Sequence, residues 1–536
     1  MVSGLNPSLI LKNGRIWTMD DKTPAAEAVA VLGKDIVAVG KSCEIESLAG
    51  PDTEVVDLQG RVVTPGLADI HVHLCQDSAD AHAVEVRDFY DPTVKSVKDI
   101  LKKIKDRAAV LPAGKWIHAK GSPMQDDRLA EKRLVTKEEL DGVAPDNPCY
   151  VNFGAHVMVV NTPALKAIRV TRDTPDPVGG WIMHDASGEP NGVLRERAQI
   201  PVKKADDSKE TSLEDGTEVF LKAAATRGIT VVHDIVTNND TIRAYQNLAE
   251  AGRLPVRVQL LVRIIESDIT TRSMVELGFR QPFGSDMLKI GGSKMSIDGG
   301  FTARQAAYTG MKGLIRIDQK ELDETVLACH LAGIRCCIHA IGDVAVDMAM
   351  TSVERAQEKV YKPLRHRIEH MGNHLFSPER RARAKRIGAL PIINPAVFYF
   401  LGDMGAAYVG PERNADCFPA KTIQQAGFPI AGGSDATGYW PVDSIRDLSS
   451  LVTRTTFFGT VMNAKEAITF REGVRAQTKD AAWVGFEEDR AGTVTVGKIA
   501  DLCVLDRDPD TCPKEELATL PVMMTVCAGK VTYRKP

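Results

Sequence analysis

The amino-acid sequence predicts an α/β fold built around a barrel of eight βα units, with a small β-domain made from both termini. Between about residues 64 and 480, apolar runs of four to eight residues alternate with longer segments of helical period. This alternation is typical of parallel βα units, and eight such runs predict a (β/α)8 barrel. About the first sixty and the last fifty residues differ, because both consist of short strand-like runs separated by turn signals.

The eight predicted barrel strands begin with GLADIHVHL at residues 66–74 and end with FPIAGGSDA at residues 428–436. The runs between them are ITVVHDIV (229–236), VRVQLLVRI (256–264), LKIGGSKMSI (288–297), IRCCIHAIG (334–342), HRIEHM (366–371) and ALPIINPAV (389–397). About 150 residues separate the first run from the second. That distance is too long for a plain βα connection and predicts an inserted subdomain.

The predicted domain boundaries follow from this pattern. We expect the N-terminal part of a β-sandwich at residues 1–63 and its C-terminal part at 481–536. The barrel occupies 64–480, with the insertion at about 76–225. The terminal strands are separated by turn signals such as Asn-Gly and Gln-Gly, as expected for a domain built from short strands.

Composition excludes several classes of function. Of the 536 residues, 43% are hydrophobic and 26% are charged, and the net charge is −4. This is ordinary for a globular protein and lacks the basic excess of nucleic-acid-binding proteins. The sequence shows neither a signal peptide nor a run of about 18 apolar residues that would span a membrane. We therefore expect a cytoplasmic protein without nucleic-acid or membrane partners, whose ten scattered cysteines are reduced.

Six side chains able to bind a divalent metal lie in five of the predicted strands. His71 and His73 are two positions apart on one strand, so both imidazoles project from the same face and can reach one ion. The other four are Lys294, His339, His370 and Asp435. Such barrels carry out chemistry at the carboxyl ends of their strands. The sequence therefore predicts that all six side chains converge there.

The order of these residues fits the repeating unit of a barrel. His339 and His370 are 31 positions apart, which is one strand–helix–strand step. The 65 positions from His370 to Asp435 are two such steps. A single histidine on a strand is more often a packed core residue than a ligand, so the metal-site prediction depends on the whole set.

The string TPGLADIHVHL resembles the opening motif of the amidohydrolase superfamily. Later motifs resemble, in the same order, those of amidohydrolase family 3, the YtcJ-like hydrolases that include N-substituted formamide deformylases. They are GITVVHD, LKIGGSKMSIDGGFTARQAAY, IHAIGD, HRIEHM, GGSDA and the closing GTVTVGKIADLCVLDRDP. The resemblance covers most of the chain and implies a distorted TIM barrel with a β-sandwich built from both termini. It also implies a hydrolase site with one or two divalent ions per subunit, for which Zn²⁺ is the expected metal.

The resemblance implies a role for each candidate ligand. His71, His73 and Asp435 hold the more buried ion in the binuclear pattern of the superfamily, and His339 and His370 hold the second.

Lys294 would be carboxylated and would bridge the two ions, because two nearby cations repel each other and need a shared anionic ligand. The alternatives are a Lys294 that is merely exposed or salt-bridged near the site, since related enzymes use a single ion or other bridging residues, and a bridging Cys75.

Three other residues are candidates of a weaker kind. His156, in AHVMVVNTPAL, matches a stretch that approaches the substrate in the similar family. His233, at the end of VVHD, is either a substrate contact or a structural strand-end histidine. Glu369 is expected to point to the opposite face of its strand from His370 and to serve the structure.

The expected function is metal-dependent hydrolysis of a carbon–nitrogen bond other than a peptide bond, in an amide, formamide, carbamate or cyclic amide. Metal coordination lowers the pKa of water from about 15.7 toward 7, and the resulting hydroxide attacks the carbonyl. Asp435 is the carboxylate placed to take the proton and pass it to the leaving amine. An ester or lactone hydrolase, a decarboxylase and a non-catalytic binding relative stay open as alternatives. The expected partner is a small-molecule substrate, and a homo-oligomer is compatible with the sequence.

Overall fold

The computed structural model describes residues 6–74, 83–154, 156–207, 212–265, 267, 269–278, 280–374 and 376–536. Helices and strands alternate through the middle of the chain, whereas strands dominate at both ends, so the fold is mixed α/β. Cys75, the alternative bridging ligand, lies outside the described residues.

A curled parallel sheet forms the centre of the fold. Its seven strands have the same order in space as in the chain. They are Leu67–Val72, Ile229–Val236, Arg257–Arg263, Leu288–Ser296, Cys336–His339, Arg367–Glu369 and Leu390–Pro391, with Phe283–Gly284 antiparallel to the fourth. Each of the first seven predicted runs contains one of these strands, so the prediction of a parallel α/β sheet is confirmed.

The eighth predicted run, FPIAGGSDA, lies between the two edges of this sheet. Gly432 forms a parallel bridge to Ile393 at one edge, and Ala436 forms a parallel bridge to Val72 at the other. The run does not form a longer strand because Asp435 has a φ of 54°. That left-handed conformation interrupts the extended backbone.

Helices follow the strands and pack against the sheet. They are Asn239–Glu250, Thr271–Glu276, Gln319–Ala332, Asp343–Lys359, Pro378–Ile387, Pro395–Val409, Pro411–Asn414, Ala420–Gln425 and Ser444–Thr453. Local sequence explains their ends: the Asp318 side chain accepts from the Glu321 N–H at the start of one helix, and Gly333 ends that helix with a φ of 80°. Apolar residues of these helices and of the sheet form the largest core within the described residues.

Both ends of the chain join one six-stranded sheet. The strand Leu502–Leu505 pairs antiparallel with Val62–Pro65. The other strands of this sheet are Arg15–Trp17, Ala25–Ala26, Val522–Cys527 and Lys530–Arg534. A four-stranded sheet of Leu9–Lys12, Ala28–Leu32, Asp35–Gly40 and Glu54–Asp57 shares an apolar core with it. The two termini therefore belong to one β-structure.

Another six-stranded sheet occupies the chain between the first two central strands. In spatial order its strands are Gly180–His184, Pro190–Glu196, Val157–Val160, Cys149–Phe153, Ile117–Gly121 and Val84–Glu85. The helices Val97–Ala108, Lys137–Val143, Thr162–Ala167 and Ile200–Ala205 accompany it, whereas Leu213–Ala225 packs in the core of the central sheet. Its strands have a separate apolar core, so the long connection after the first strand is a folded insertion.

Further short helices are Ser42–Glu46, Phe470–Arg475 and Ala481–Val484. Within the described residues, no helix combines the length and the apolar character needed to cross a membrane.

A buried ion-pair cluster joins the central sheet to the C-terminal segment. The Arg257 side chain, on the third central strand, is 2% exposed and contacts both Glu487 and Asp501. The distance from Arg257 Nη1 to Asp501 Oδ2 is 2.6 Å. Both carboxylates are almost fully buried, so their charges must be compensated. Arg257 pairs with both of them, and Lys289 Nζ also lies 2.6 Å from Glu487 Oε1.

We predict that Arg257→Leu lowers the free energy of unfolding by about 3–5 kcal/mol, because the change leaves two buried carboxylates without their shared partner. Arg272→Leu is the control, since Arg272 pairs with Glu276 at an exposed site and should change stability by less than about 1 kcal/mol. Urea unfolding followed by tryptophan fluorescence measures both effects. Similar losses in the two variants would contradict the role assigned to the buried cluster.

Candidate metal centre

Two histidines of the first central strand face one carboxylate. His71 Nε2 and His73 Nε2 each lie 3.4 Å from Asp435 Oδ1. The Asp435 N–H donates to the His71 carbonyl at 2.8 Å, which holds the two segments together. His370 completes a cluster in which ligand atoms of His71, His370 and Asp435 lie within 4.8 Å of one another.

Lys294 and His339 extend this cluster. Lys294 Nζ lies 3.4 Å from His71 Nε2, and the ring centroids of His339 and His370 are 4.6 Å apart. Except for the fully buried His71, the predicted ligand residues line a cavity of about 460 Å³. The structure therefore brings all six to one place at the carboxyl ends of the central strands.

Burial determines the protonation of these groups. It lowers the pKa of His71 to about 3 and lowers the pKa of the other three imidazoles of the cluster. Neutral imidazoles have the lone pair that a metal requires. Burial also lowers the pKa of Lys294 to about 8. For Asp435, burial would raise the pKa, but the neighbouring histidines outweigh it and lower that pKa below its usual range.

The donor set fits a divalent metal. His339 Nε2 is buried and has no hydrogen-bond partner among the described residues, although Asp298 Oδ1 lies 3.5 Å away. An unpartnered polar atom in a protein interior costs free energy, and a bound cation would remove that cost. Imidazole nitrogens with a carboxylate oxygen are ligands that zinc and similar ions prefer.

Glu369 orients His71. Its Oε2 atom accepts a hydrogen bond from His71 Nδ1 at 2.6 Å and another from Arg367 Nη2 at 3.0 Å. Because the neutral His71 ring donates from Nδ1 in the first bond, its Nε2 carries no proton. Nε2 is the nitrogen that faces the other candidate ligands. Glu369 was expected on the opposite face of its strand from His370, but both side chains lie beside His71, because His370 has a left-handed φ of 72°. That conformation breaks the alternation of side chains on which the expectation depended.

Asn394 orients His370 in a similar way. Its Oδ1 atom lies 2.8 Å from His370 Nδ1, and its Nδ2 donates to the Gly433 carbonyl at 3.1 Å. The sequence analysis missed Asn394. The signal that could have found it is a polar residue at the end of the apolar run ALPII.

His156 reaches the same cavity from the insertion. His156 Nδ1 lies 3.0 Å from Glu196 Oε2, which also accepts from Arg316 Nη2 at 2.6 Å. Burial would raise the pKa of Glu196, but His156 and Arg316 outweigh it and lower the pKa to about 2. The sequence analysis missed Glu196 and Arg316, because no periodic pattern relates residues so far apart in the chain.

The structure does not bring His233 to this cavity. His233 is 1% exposed, and its Nδ1 lies 3.1 Å from Arg367 Nη1. It lines a separate void of about 20 Å³. The physical reason is the length of its strand, Ile229–Val236, which continues three residues beyond His233. His233 therefore lies within the sheet instead of at its carboxyl edge.

Comparison with known proteins defines the family to which this chain belongs. The family model described as the amidohydrolase family matches residues 54–533, and the chain belongs to this family. It is 27% identical over 547 residues to the N-substituted formamide deformylase of Arthrobacter pascens, covering 98% of each chain. It is 28% identical to the putative amidohydrolase YtcJ of Bacillus subtilis, covering 98% of this chain and 99% of YtcJ. The resemblance stated from the sequence motifs is confirmed.

A solved structure has a similar fold. An uncharacterized metal-dependent hydrolase from Pyrococcus horikoshii OT3 superimposes with a TM-score of 0.74 at 21% identity, covering 95% of this chain and 99% of that one. At this level of identity the similarity concerns the fold.

Gly433 permits the close approach of the eighth run to the first strand, and we predict that Gly433→Ala damages the metal centre. A Cβ atom at position 433 would lie 2.4 Å from the backbone nitrogen of His71, so His71 must shift. We expect weaker zinc binding and a loss of about 1–3 kcal/mol in stability.

Gly142→Ala is the matched control, because a Cβ there meets no atom within 4 Å and alanine favours the helix Lys137–Val143. Zinc titration calorimetry and thermal unfolding measure both variants. Wild-type zinc affinity in Gly433→Ala would show that His71 does not depend on this contact.

Proposed function

We propose that this protein is a metal-dependent hydrolase of a small-molecule amide, formamide, carbamate or cyclic amide, cleaving a carbon–nitrogen bond other than a peptide bond. The observation that carries the proposal is the convergence of four imidazoles, one carboxylate and one lysine beside a single cavity. Membership of the amidohydrolase family supports hydrolysis. The similarity to a formamide deformylase over the whole chain supports a carbon–nitrogen bond.

The same residues are proposed to hold one or two divalent ions, with Zn²⁺ the expected metal. His71, His73 and Asp435 hold one ion, and the other two histidines of the cluster hold the second. Lys294, as a carbamate, would supply the ligand shared by the two ions. Its burial supports this, because a neutral amine is the form that reacts with carbon dioxide. A metal bound there acts as a Lewis acid and lowers the pKa of water.

Asp435 is proposed to carry the proton during the reaction. Its carboxylate is the anion of the cluster, and its side chain is 25% exposed toward the cavity. It accepts a proton from the attacking water and then donates it to the leaving nitrogen. The bond from its N–H to the His71 carbonyl keeps the carboxylate in place.

The fold proposed around this site is a distorted (β/α)8 barrel, closed by FPIAGGSDA, with a β-sandwich made from both termini. The bridges of Gly432 and Ala436 to opposite edges of the sheet support closure. The domain boundaries are 1–63, 64–480 with an insertion at about 76–225, and 481–536. His156 is proposed as a substrate contact, whereas His233 is left out of the site.

The proposed reaction is tested with a panel of formamides, acylamino acids, carbamates and lactams, each with a matched ester where one exists. We expect the purified protein to contain one to two equivalents of divalent metal and to hydrolyse members of the nitrogen series. A chelator should abolish this activity, and added zinc should restore it. Full activity in metal-free protein, or hydrolysis of esters only, would exclude the proposed function.

Lys294→Ala should lose the second ion, because the bridging oxygens are then missing. A short carboxylic acid such as propionate, supplied from solution, should partly restore turnover. Lys320→Ala is the control, since the Lys320 side chain is 87% exposed. Metal analysis and turnover are measured together. Two bound ions and normal turnover in Lys294→Ala would show that the lysine is not a bridge.

Asp435→Asn keeps the shape of the side chain but removes its basicity. We expect normal folding and a loss of roughly 100-fold to 10,000-fold in turnover, the usual range for general acid–base catalysis. Melting temperature, metal content and turnover are measured on one preparation. A near-normal turnover number would remove Asp435 from the mechanism.

A further inference from the structure

A network of buried contacts fixes the imidazole of His156. His156 Nδ1 lies 3.0 Å from Glu196 Oε2, and the Glu196 N–H donates to the His156 carbonyl at 3.1 Å. The Glu196 side chain is 5% exposed, whereas that of His156 is 29% exposed. Because an ionised carboxylate only accepts hydrogen bonds, the proton of this contact belongs to His156 Nδ1.

Glu196 is itself held from several sides. Arg316 Nη2 donates to its Oε2 at 2.6 Å, and the Gly300 N–H donates to its Oε1 at 3.2 Å. Glu196 has a φ of 53° and a ψ of −125°, a conformation that is unfavourable for a residue other than glycine. The surrounding contacts maintain this conformation, and it directs the carboxylate to His156.

Gly300 supports the face of the imidazole. A Cβ atom at Gly300 would lie 2.4–2.5 Å from Cδ2, Nε2 and Cε1 of His156. Nearly equal distances to three ring atoms mean that the ring packs with its face on the glycine. The lone pair of Nε2 lies in the plane of the ring, so Gly300 does not cover it.

Arg316 Nη2, 2.6 Å from Glu196 Oε2, already compensates the charge of Glu196, so the carboxylate does not need a second positive charge from His156. With its proton on Nδ1, the imidazole then has an acceptor at Nε2. The described residues offer that atom no hydrogen-bond partner. His156 lines the cavity together with Lys294, His339 and Asp435. An acceptor of fixed orientation therefore stands in the wall of the cavity that holds the candidate metal ligands.

We infer that His156 Nε2 accepts a hydrogen bond from the N–H of the scissile group, so the substrate is an amide, carbamate or lactam that has a hydrogen on that nitrogen. Glu196 is a positioning residue that acts through His156. The inference rests on the proposed function and narrows its substrate class. An ester has no N–H, and an amide with two substituents on nitrogen has none either, so both leave the acceptor unpaired.

The test compares three matched probes: N-butylacetamide, N-butyl-N-methylacetamide and butyl acetate. For His156→Leu, we expect kcat/KM for N-butylacetamide to fall about 10- to 100-fold, the range for losing one hydrogen bond to a buried acceptor. The values for the other two probes should change less than about threefold. His184→Leu, an exposed position on the same inserted sheet, is the control and should change none of the three.

Variants of Glu196 separate positioning from general damage. Glu196→Ala should reproduce the selective loss on N-butylacetamide, because the ring loses its partner. Glu196→Gln keeps an oxygen that can accept from His156 Nδ1, so it should recover most of that loss. Melting temperatures identify any variant of Glu196 that fails to fold. In that case Gly300→Ala takes its place in the comparison, because it displaces the His156 ring without removing it.

An equal loss of kcat/KM on all three probes in His156→Leu would overturn the inference and leave the hydrolase function intact. Binding provides a readout that does not need turnover. Saturation-transfer NMR should show that metal-loaded wild-type protein binds N-butylacetamide about tenfold more tightly than its N-methyl derivative. Equal binding, or no binding of either, would overturn the inference, whereas the proposed function fails separately if no nitrogen compound of the wider panel is hydrolysed.

Discussion

The contact between the Glu369 carboxylate and the His71 imidazole is the interaction on which the geometry of the metal centre depends. Both side chains are fully buried, and Arg367 compensates the carboxylate from its other side. An uncompensated charge in such a place costs several kcal/mol, so the three groups must stay together. Because His71 belongs to the first central strand and Glu369 to the sixth, their contact sets the orientation of the ring and ties two distant strands of the curled sheet.

Local sequence pattern was sufficient to predict the parallel sheet and the proximity of the candidate ligands. The seven strands fall within the predicted runs. The candidate ligands that were predicted to lie together, and do so, are His71, His73, Lys294, His339, His370 and Asp435. The reason is geometric, because the carboxyl ends of parallel strands meet at one edge of the sheet. A metal-binding residue at the end of each strand is therefore enough to predict that these residues lie together. Their role as ligands and the closure of the barrel stay predictions.

The remaining features depend on backbone conformation and on contacts between distant segments. The left-handed φ of His370 places its side chain on the same side as that of Glu369, beside His71, and the alternation of side chains along a strand does not anticipate this. His156 and Glu196 are 40 positions apart, and their common partner Arg316 comes from a third segment. Of the two alternatives for His233, its position inside the sheet favours the structural one, because the apolar run continues through Ile235 and Val236 beyond it.

The pairing of Val62–Pro65 with Leu502–Leu505 has a consequence for the synthesis of the chain. The two strands are separated by more than 400 positions. At about 5–20 residues per second, a ribosome needs roughly 20–90 s to cover that distance. Throughout this interval the earlier strand presents an open hydrogen-bonding edge, which is a template for pairing with other chains. Nascent copies on one polysome are thus exposed to mutual association until the last strands emerge.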